Sequence, residues 1–133
     1  MAELAESHFQ EVYELWLQTG WNIKYNISLA DFIKSWKGSS VRRCVWVDRK
    51  IVAIARANTD GLMYAMIHDV VVDPNFRGQG FGREIVLEII ECLKEMQIKS
   101  IQLMTANGQI GFYENLGFRV RSDSTPGMDF IQD

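Results

Sequence analysis

Apolar residues recur every three or four positions over residues 8–18, where Phe9, Val12, Leu15 and Trp16 share one side. That period predicts an amphipathic helix, with Gly20 placed to end it. Ser28 is a good N-cap for a second helix, whose stripe is Leu29, Phe32, Ile33 and Trp36 and whose stop is Gly38. The period then changes. Arg42 to Val47 and Ile51 to Ala57 are strand-like runs on either side of the polar turn Asp48-Arg49-Lys50, and predict an antiparallel hairpin. A third strand is expected from about Met63 to Val72, ending at Asp73-Pro74 because proline cannot donate a ladder hydrogen bond. A long helix follows to about Met96, with Ile85, Val86, Ile89, Ile90, Leu93 and Met96 on its stripe. Ser100 to Thr105 alternates as a strand, and Gln109 to Leu116 reads as a short helix stopped by Gly117. Phe118–Val120 and Met128–Ile131 are expected to supply a last strand or two.

The resulting order is α-α-β-β-β-α-β-α-β. Strand, helix and strand across residues 63–105 form a crossover unit, which implies parallel pairing there, whereas the hairpin implies antiparallel pairing. The sheet is therefore expected to be mixed: α/β by local order, α+β by sheet type. No repeat, linker or compositional break interrupts the pattern, so residues 1–133 are read as a single domain.

Composition narrows the partners. The 133 residues are 47% hydrophobic and 23% charged, ordinary for a globular chain. A net charge of −3 with scattered basic residues argues against a nucleic-acid partner, which usually requires a basic stripe. Apolar runs fall far short of the ~20 residues that span a bilayer, and the N-terminus has no apolar signal region, so no membrane association is expected. Cys44 and Cys92 lie in apolar segments, where reduced structural cysteine is common; a reducing, cytoplasmic setting is expected. With only two His besides, no metal site is expected.

The chemistry is concentrated in one turn. Arg77-Gly78-Gln79-Gly80-Phe81-Gly82 joins the third strand to the long helix. Three glycines in five residues are entropically costly unless the backbone requires them. Unpaired N–H groups of the turn and of the first helical turn, reinforced by the helix dipole, make an anion cradle. A tight turn with close helix–strand packing is the simpler alternative. The spacing fits neither the dinucleotide fingerprint G-x-G-x-x-G nor the triphosphate loop G-x-x-x-x-G-K-[ST].

The pattern Arg-x-x-Gly-x-Gly, directly after Val-Val-Val-Asp-Pro, resembles the acetyl-coenzyme A signature of the GNAT acetyltransferase superfamily. Phe112-Tyr113-Glu114-Asn115-Leu116-Gly117-Phe118 is similar to that family's Phe-Tyr-x-x-x-Gly-Phe segment, in the right order and separation. The resemblance implies an enzyme with acetyl-coenzyme A as acyl donor. It assigns pantetheine pairing to the main chain of Val70, Val71 and Val72. Gly78, Gln79, Gly80, Phe81 and Gly82 would hold the diphosphate, with Arg77 and Arg83 as neighbouring charges. Asn107 stands where the family uses an Asn after the next strand, and Tyr113 would sit beside the sulfur.

The family's amine attacks the thioester directly, so the site needs a neutral amine, an oxyanion donor and a proton for the thiolate. Tyr113 suits the last role, although a phenol near ~10 against a thiol near ~8.5 makes full transfer uphill by about 2 kcal/mol. The Val70 N–H is the expected oxyanion donor. Many members carry a Glu four residues before the first pantetheine-binding position; here that position is Met66. His68 and Asp69 are the remaining base candidates. His68 shares strand parity with Val70 and Val72 and is expected to face the same way; Asp69 has the opposite parity unless a β-bulge intervenes. Loss of the proton to bulk water before binding is the third route.

The acceptor is expected to be a small primary amine, walled by the N-terminal helices, where Trp21, Tyr25, Phe32 and Trp36 either line a pocket or belong to the core. Protein lysine or N-terminal acetylation, and a non-catalytic acyl-coenzyme A module, are the alternatives. Homodimers are common in such proteins, and these residues do not decide the matter. The family's usual opening strand is poorly matched by Met1–Ser7.

Overall fold

The computed structural model describes residues 6–132. Four strands form one sheet in the order β1-β2-β3-β4: β1 (Val41–Val47), β2 (Lys50–Thr59), β3 (Tyr64–Val72) and β4 (Ser100–Leu103). β1 and β2 pair antiparallel, as do β2 and β3, and the sheet is mixed as expected. Before it come α1 (Phe9–Leu17), the one-turn α2 (Asn22–Tyr25) and α3 (Leu29–Lys37). α4 (Phe81–Glu95) connects β3 to β4, and α5 (Ile110–Glu114) follows. The chain divides into two compact units at Gln102/Leu103.

The longer helices form where apolar stripes meet the sheet, and α3 gains a side-chain cap as well. Ser28 Oγ accepts the Asp31 N–H at 3.2 Å, capping α3 as the sequence predicts. Phe9, Val12, Leu15 and Trp16 of α1 pack with Phe32 and Trp36 of α3 on Cys44, Ile54 and Val71 of the sheet. α4 packs on β1, β2 and β3 through Ile85, Val86, Ile89 and Leu93. Alternating with Ile54 along β2, the small buried residues Ala53, Ala55 and Ala57 leave room for a closely packed helix.

Several expectations are corrected. The expected last strands, Phe118–Val120 and Met128–Ile131, do not form among the described residues. That segment bonds to itself instead: Thr125 N–H donates to Ser122 O at 2.9 Å, and Arg121 Nε to Thr125 O at 2.7 Å. Pro126-Gly127 interrupts it, and alternating side chains alone provide no neighbouring strand. β4 stops at Leu103 rather than Thr105. α2 and a single 3₁₀ turn at Pro74–Phe76 were not foreseen. The expectation for Met1–Ser7 falls largely outside the described residues.

Candidate functional site: a bulged strand and a glycine cradle

β3 is bulged at its centre. Arg56 opposes His68, whereas Ile54 opposes Val71, so Asp69 and Val70 together face the single residue Ala55. Asp69 takes a left-handed backbone, φ +54°. The extra residue overturns the parity expected for His68. Ile54 and Arg56 lie two apart on β2 and share a face, so their partners Val71 and His68 share a face as well. His68 therefore does not align with Val70 and Val72.

The bulge also frees main chain. Val70 stands outside the β2–β3 pairing. On the other side, β4 begins level with the start of β3, where Ser100 N–H donates to Met63 O at 2.8 Å. At about 3.3 Å per residue, a four-residue strand running alongside reaches only to about Ile67. Val70 to Val72 thus present an edge that an extended, amide-bearing chain can pair with.

β3 ends at the buried Asp73, whose carboxylate accepts the Asn75 N–H at 2.9 Å and faces Lys50 Nζ at 3.1 Å. These contacts start the 3₁₀ turn that leads into the glycines. Gly78 and Gly80 have φ +76° and +89°, and Gly80 caps α4. A Cβ built on either would meet no atom within 4 Å. Close packing is therefore not the reason for these two glycines; backbone conformation is, and the space in front of them is open. The first-turn N–H groups of a fifteen-residue helix face it, and Arg77 and Arg83 are exposed beside it. Phe81 and Gly82 begin the helix itself, and Gln79 is exposed between the glycines.

The two base candidates differ in availability. Both carboxylate oxygens of Asp69 are engaged: Oδ1 accepts Trp16 Nε1–H at 3.0 Å, and Oδ2 accepts Arg56 Nε–H at 2.6 Å. His68 is exposed. Partial desolvation holds its imidazole below the usual histidine value, with the Arg56 charge adding to the effect and Asp69 opposing it. It is a neutral proton acceptor at pH 7.

In the second unit, Tyr113 is buried, with the rings of Phe112 and Phe118 edge-on at 4.9 and 5.8 Å. Burial raises its phenol above the ordinary value, so it stays protonated. Asn107 is exposed in the turn that precedes α5. Of the aromatic residues near the N-terminus, Phe32 and Trp36 are core, 3% and 1% exposed. Trp21 and Tyr25 are 37% and 59% exposed and remain free to meet a ligand.

The profile of the acetyltransferase (GNAT) family matches residues 3–118. The chain belongs to this family. GNAT relatives include the chloroplastic GCN5-related N-acetyltransferase 1 of Arabidopsis thaliana, 41% identical over 92 residues, which are 66% of this chain and 47% of that protein. The chloroplastic serotonin N-acetyltransferase 2 of Oryza sativa subsp. japonica is 38% identical over 81 residues, 61% of this chain and 40% of that one. The chain spans 31% to 47% of the length of the first curated relatives it matches. Among solved structures, a GNAT acetyltransferase from Streptococcus pneumoniae TIGR4 superposes with a TM-score of 0.77 at 22% identity, covering 98% of this chain and 94% of that one. The glucosamine-6-phosphate N-acetyltransferase of Arabidopsis thaliana gives 0.75 at 21%, covering 99% and 97%. These two likenesses show the fold.

Acetyl-coenzyme A, which the GNAT family generally uses, fits the residues present. The cradle is open where a Cβ would otherwise point, and the free edge at Val70–Val72 runs directly into it. Sequence reasoning missed Trp16, Arg56 and Lys50 as supports of this site. Arg56 had a signal, being the one charged residue in the otherwise apolar run Ile51–Ala57.

Proposed function

We propose that the protein transfers an acetyl group from acetyl-coenzyme A to a primary amine, most plainly a small molecule. The open glycine cradle at the end of a half-free strand carries this reading. Gly78–Gly82 and the first turn of α4 bind the diphosphate, and Val70–Val72 pair with the pantetheine arm. The Val70 N–H donates to the thioester oxygen as negative charge grows there. His68 removes the amine proton through water. The amine nitrogen bonds to the acetyl carbon as the carbon–sulfur bond breaks, and Tyr113 supplies a hydrogen bond or a proton to the departing thiolate. Because the phenol is raised above its ordinary value, hydrogen bonding outweighs full transfer.

A small acceptor is supported by exposed Trp21 and Tyr25, which suit an aromatic amine, and by the rice relative named for serotonin acetylation. A protein acceptor has its own support in the 35% identical relative named a histone acetyltransferase in Glycine max. A reducing, cytoplasmic setting is proposed from the free cysteines; burial pushes the Cys44 thiol up to about 12, leaving it protonated and inert. Thiol release from acetyl-coenzyme A should depend on an added amine, and an amine panel with a histone peptide ranks the acceptors. Cofactor binding without turnover on any acceptor would leave a non-catalytic acyl-coenzyme A module instead.

A further inference from the structure

Asp69 is the only non-glycine residue within a strand to hold a left-handed backbone among the described residues. Such a conformation persists in L-residues only where the surroundings over-determine it. Here two elements converge on one carboxylate, and a third braces it through Arg56. Trp16 donates from α1 and Arg56 from β2, and the Arg56–Asp69 pair is largely buried, its side chains 18% and 14% exposed. Arg56 is itself braced at the C-terminal end of α3. Its guanidinium donates to Ser35 O at 3.0 Å, Ser35 Oγ at 2.9 Å and Ser39 Oγ at 3.0 Å. A cation at that helix end is favoured by the dipole as well.

We propose that Asp69 is a positioning residue: the Trp16–Asp69–Arg56–Ser39 cluster holds the bulge that presents the Val70 N–H to the reacting carbonyl. This rests on the acetyl-transfer reading above and assigns the carboxylate a task other than taking the amine proton. With a donor on each oxygen and the Arg56 cation against it, the carboxylate weakens two charge-assisted bonds when it accepts a proton, while exposed His68 needs no such exchange. The cluster also joins the helices on the acceptor side to the strand that carries the chemistry, since α1 and α3 each contribute a contact. A change in how α1 or α3 packs therefore reaches Val70 through one side chain.

Four substitutions test it: Asp69→Asn, Asp69→Ala, Trp16→Phe and Arg56→Met, with Arg56→Lys as the conservative rescue. Asp69→Ala and Arg56→Met should lower kcat about 10- to 100-fold, the loss expected of a mispositioned reacting group, with a smaller change in KM for acetyl-coenzyme A. Trp16→Phe, which removes one hydrogen bond, should cost about 2- to 12-fold. Arg56→Lys should recover part of the Arg56→Met loss. The acid limb of the pH–rate profile should survive in every variant. Disappearance of that limb in Asp69→Asn, with Trp16→Phe unchanged, would make Asp69 the base and overturn the proposal. Amide hydrogen exchange gives a readout independent of turnover. Val70 should exchange rapidly in the native protein and become protected in Asp69→Ala as the strand regains its register. Unchanged exchange in both Asp69→Ala and Arg56→Met would refute the positioning role, even if the native protein acetylated no amine tested.

Discussion

The Lys50 ammonium lies 3.1 Å from the carboxylate of Asp73, whose side chain is only 5% exposed, at the junction of β3 and the glycine turn. Asp73 is tied on both sides, since its N–H donates to Val52 O at 2.8 Å and its carboxylate accepts the Asn75 N–H. The pair fixes where the cradle begins. Asp73→Ala should lower stability by about 1–3 kcal/mol, the usual cost of unmaking a buried hydrogen-bond set, and weaken coenzyme A binding severalfold. The Asn75 N–H first, and Lys50 after it, hold the carboxyl below its usual value. Its folded-state pKa is depressed, so its stabilisation is present above the ordinary carboxylate range and is lost as pH falls below it. Urea midpoints of native and Asp73→Asn proteins should converge at acid pH and diverge near neutrality.

Gly80 offers a cleaner probe of the cradle. At φ +89° with nothing within 4 Å of a Cβ, Gly80→Ala introduces backbone strain without a clash. A loss of about 1–2 kcal/mol in folding free energy is expected from the left-handed penalty alone. Coenzyme A affinity should fall as well, because relief of the strain turns the N–H groups away. Calorimetric binding alongside denaturant unfolding separates the two effects.

His68 predicts the acid side of the pH dependence. Desolvation, with Arg56 adding and Asp69 opposing, lowers its pKa, so the neutral form persists to a pH below the ordinary histidine value near ~6.5. kcat/KM should stay level down to that region and fall beneath it as the imidazole gains its proton. His68→Gln should lower the plateau about 100-fold or more and remove the limb. A limb unchanged in His68→Gln would assign it to another group.

Tyr113→Phe should keep the fold, because the ring contacts with Phe112 and Phe118 need no hydroxyl. The loss in kcat should be about 10- to 100-fold, at or below the lower bound of general-acid contributions, since a phenol raised by burial transfers its proton to a thiolate reluctantly. A leaving thiol of lower pKa should narrow the gap between native and Phe variants.

Much of the site was legible because it is local in sequence. The glycines of 78–82 and the stripe of Ile85, Val86, Ile89 and Leu93 place a cradle at a helix start without any tertiary knowledge. The bulge was not legible. Alternation reports which residues share a face only while the register is constant, and one inserted residue at Asp69 moved His68 to the face of Val71. The partners that hold the bulge, Trp16 and Arg56, lie 53 and 13 residues away in the chain, beyond any periodicity. Phe32 and Trp36 illustrate the same limit, since a helical stripe of aromatics reads alike whether it faces a ligand or a core. The Met128–Ile131 strand failed because alternation names a face but supplies no partner strand.

Acetyl transfer to an amine, with acetyl-coenzyme A gripped at Gly78–Gly82, is open to direct test through its products. Its most direct measurement is mass-spectrometric detection of product when purified protein, acetyl-coenzyme A and a panel of arylalkylamines, polyamines and peptides are combined. An N-acetylated amine should form in equal amount to the free coenzyme A released, and Gly80→Ala combined with His68→Gln should abolish it. Saturable coenzyme A binding with no acetylated product from any of these acceptors would contradict it.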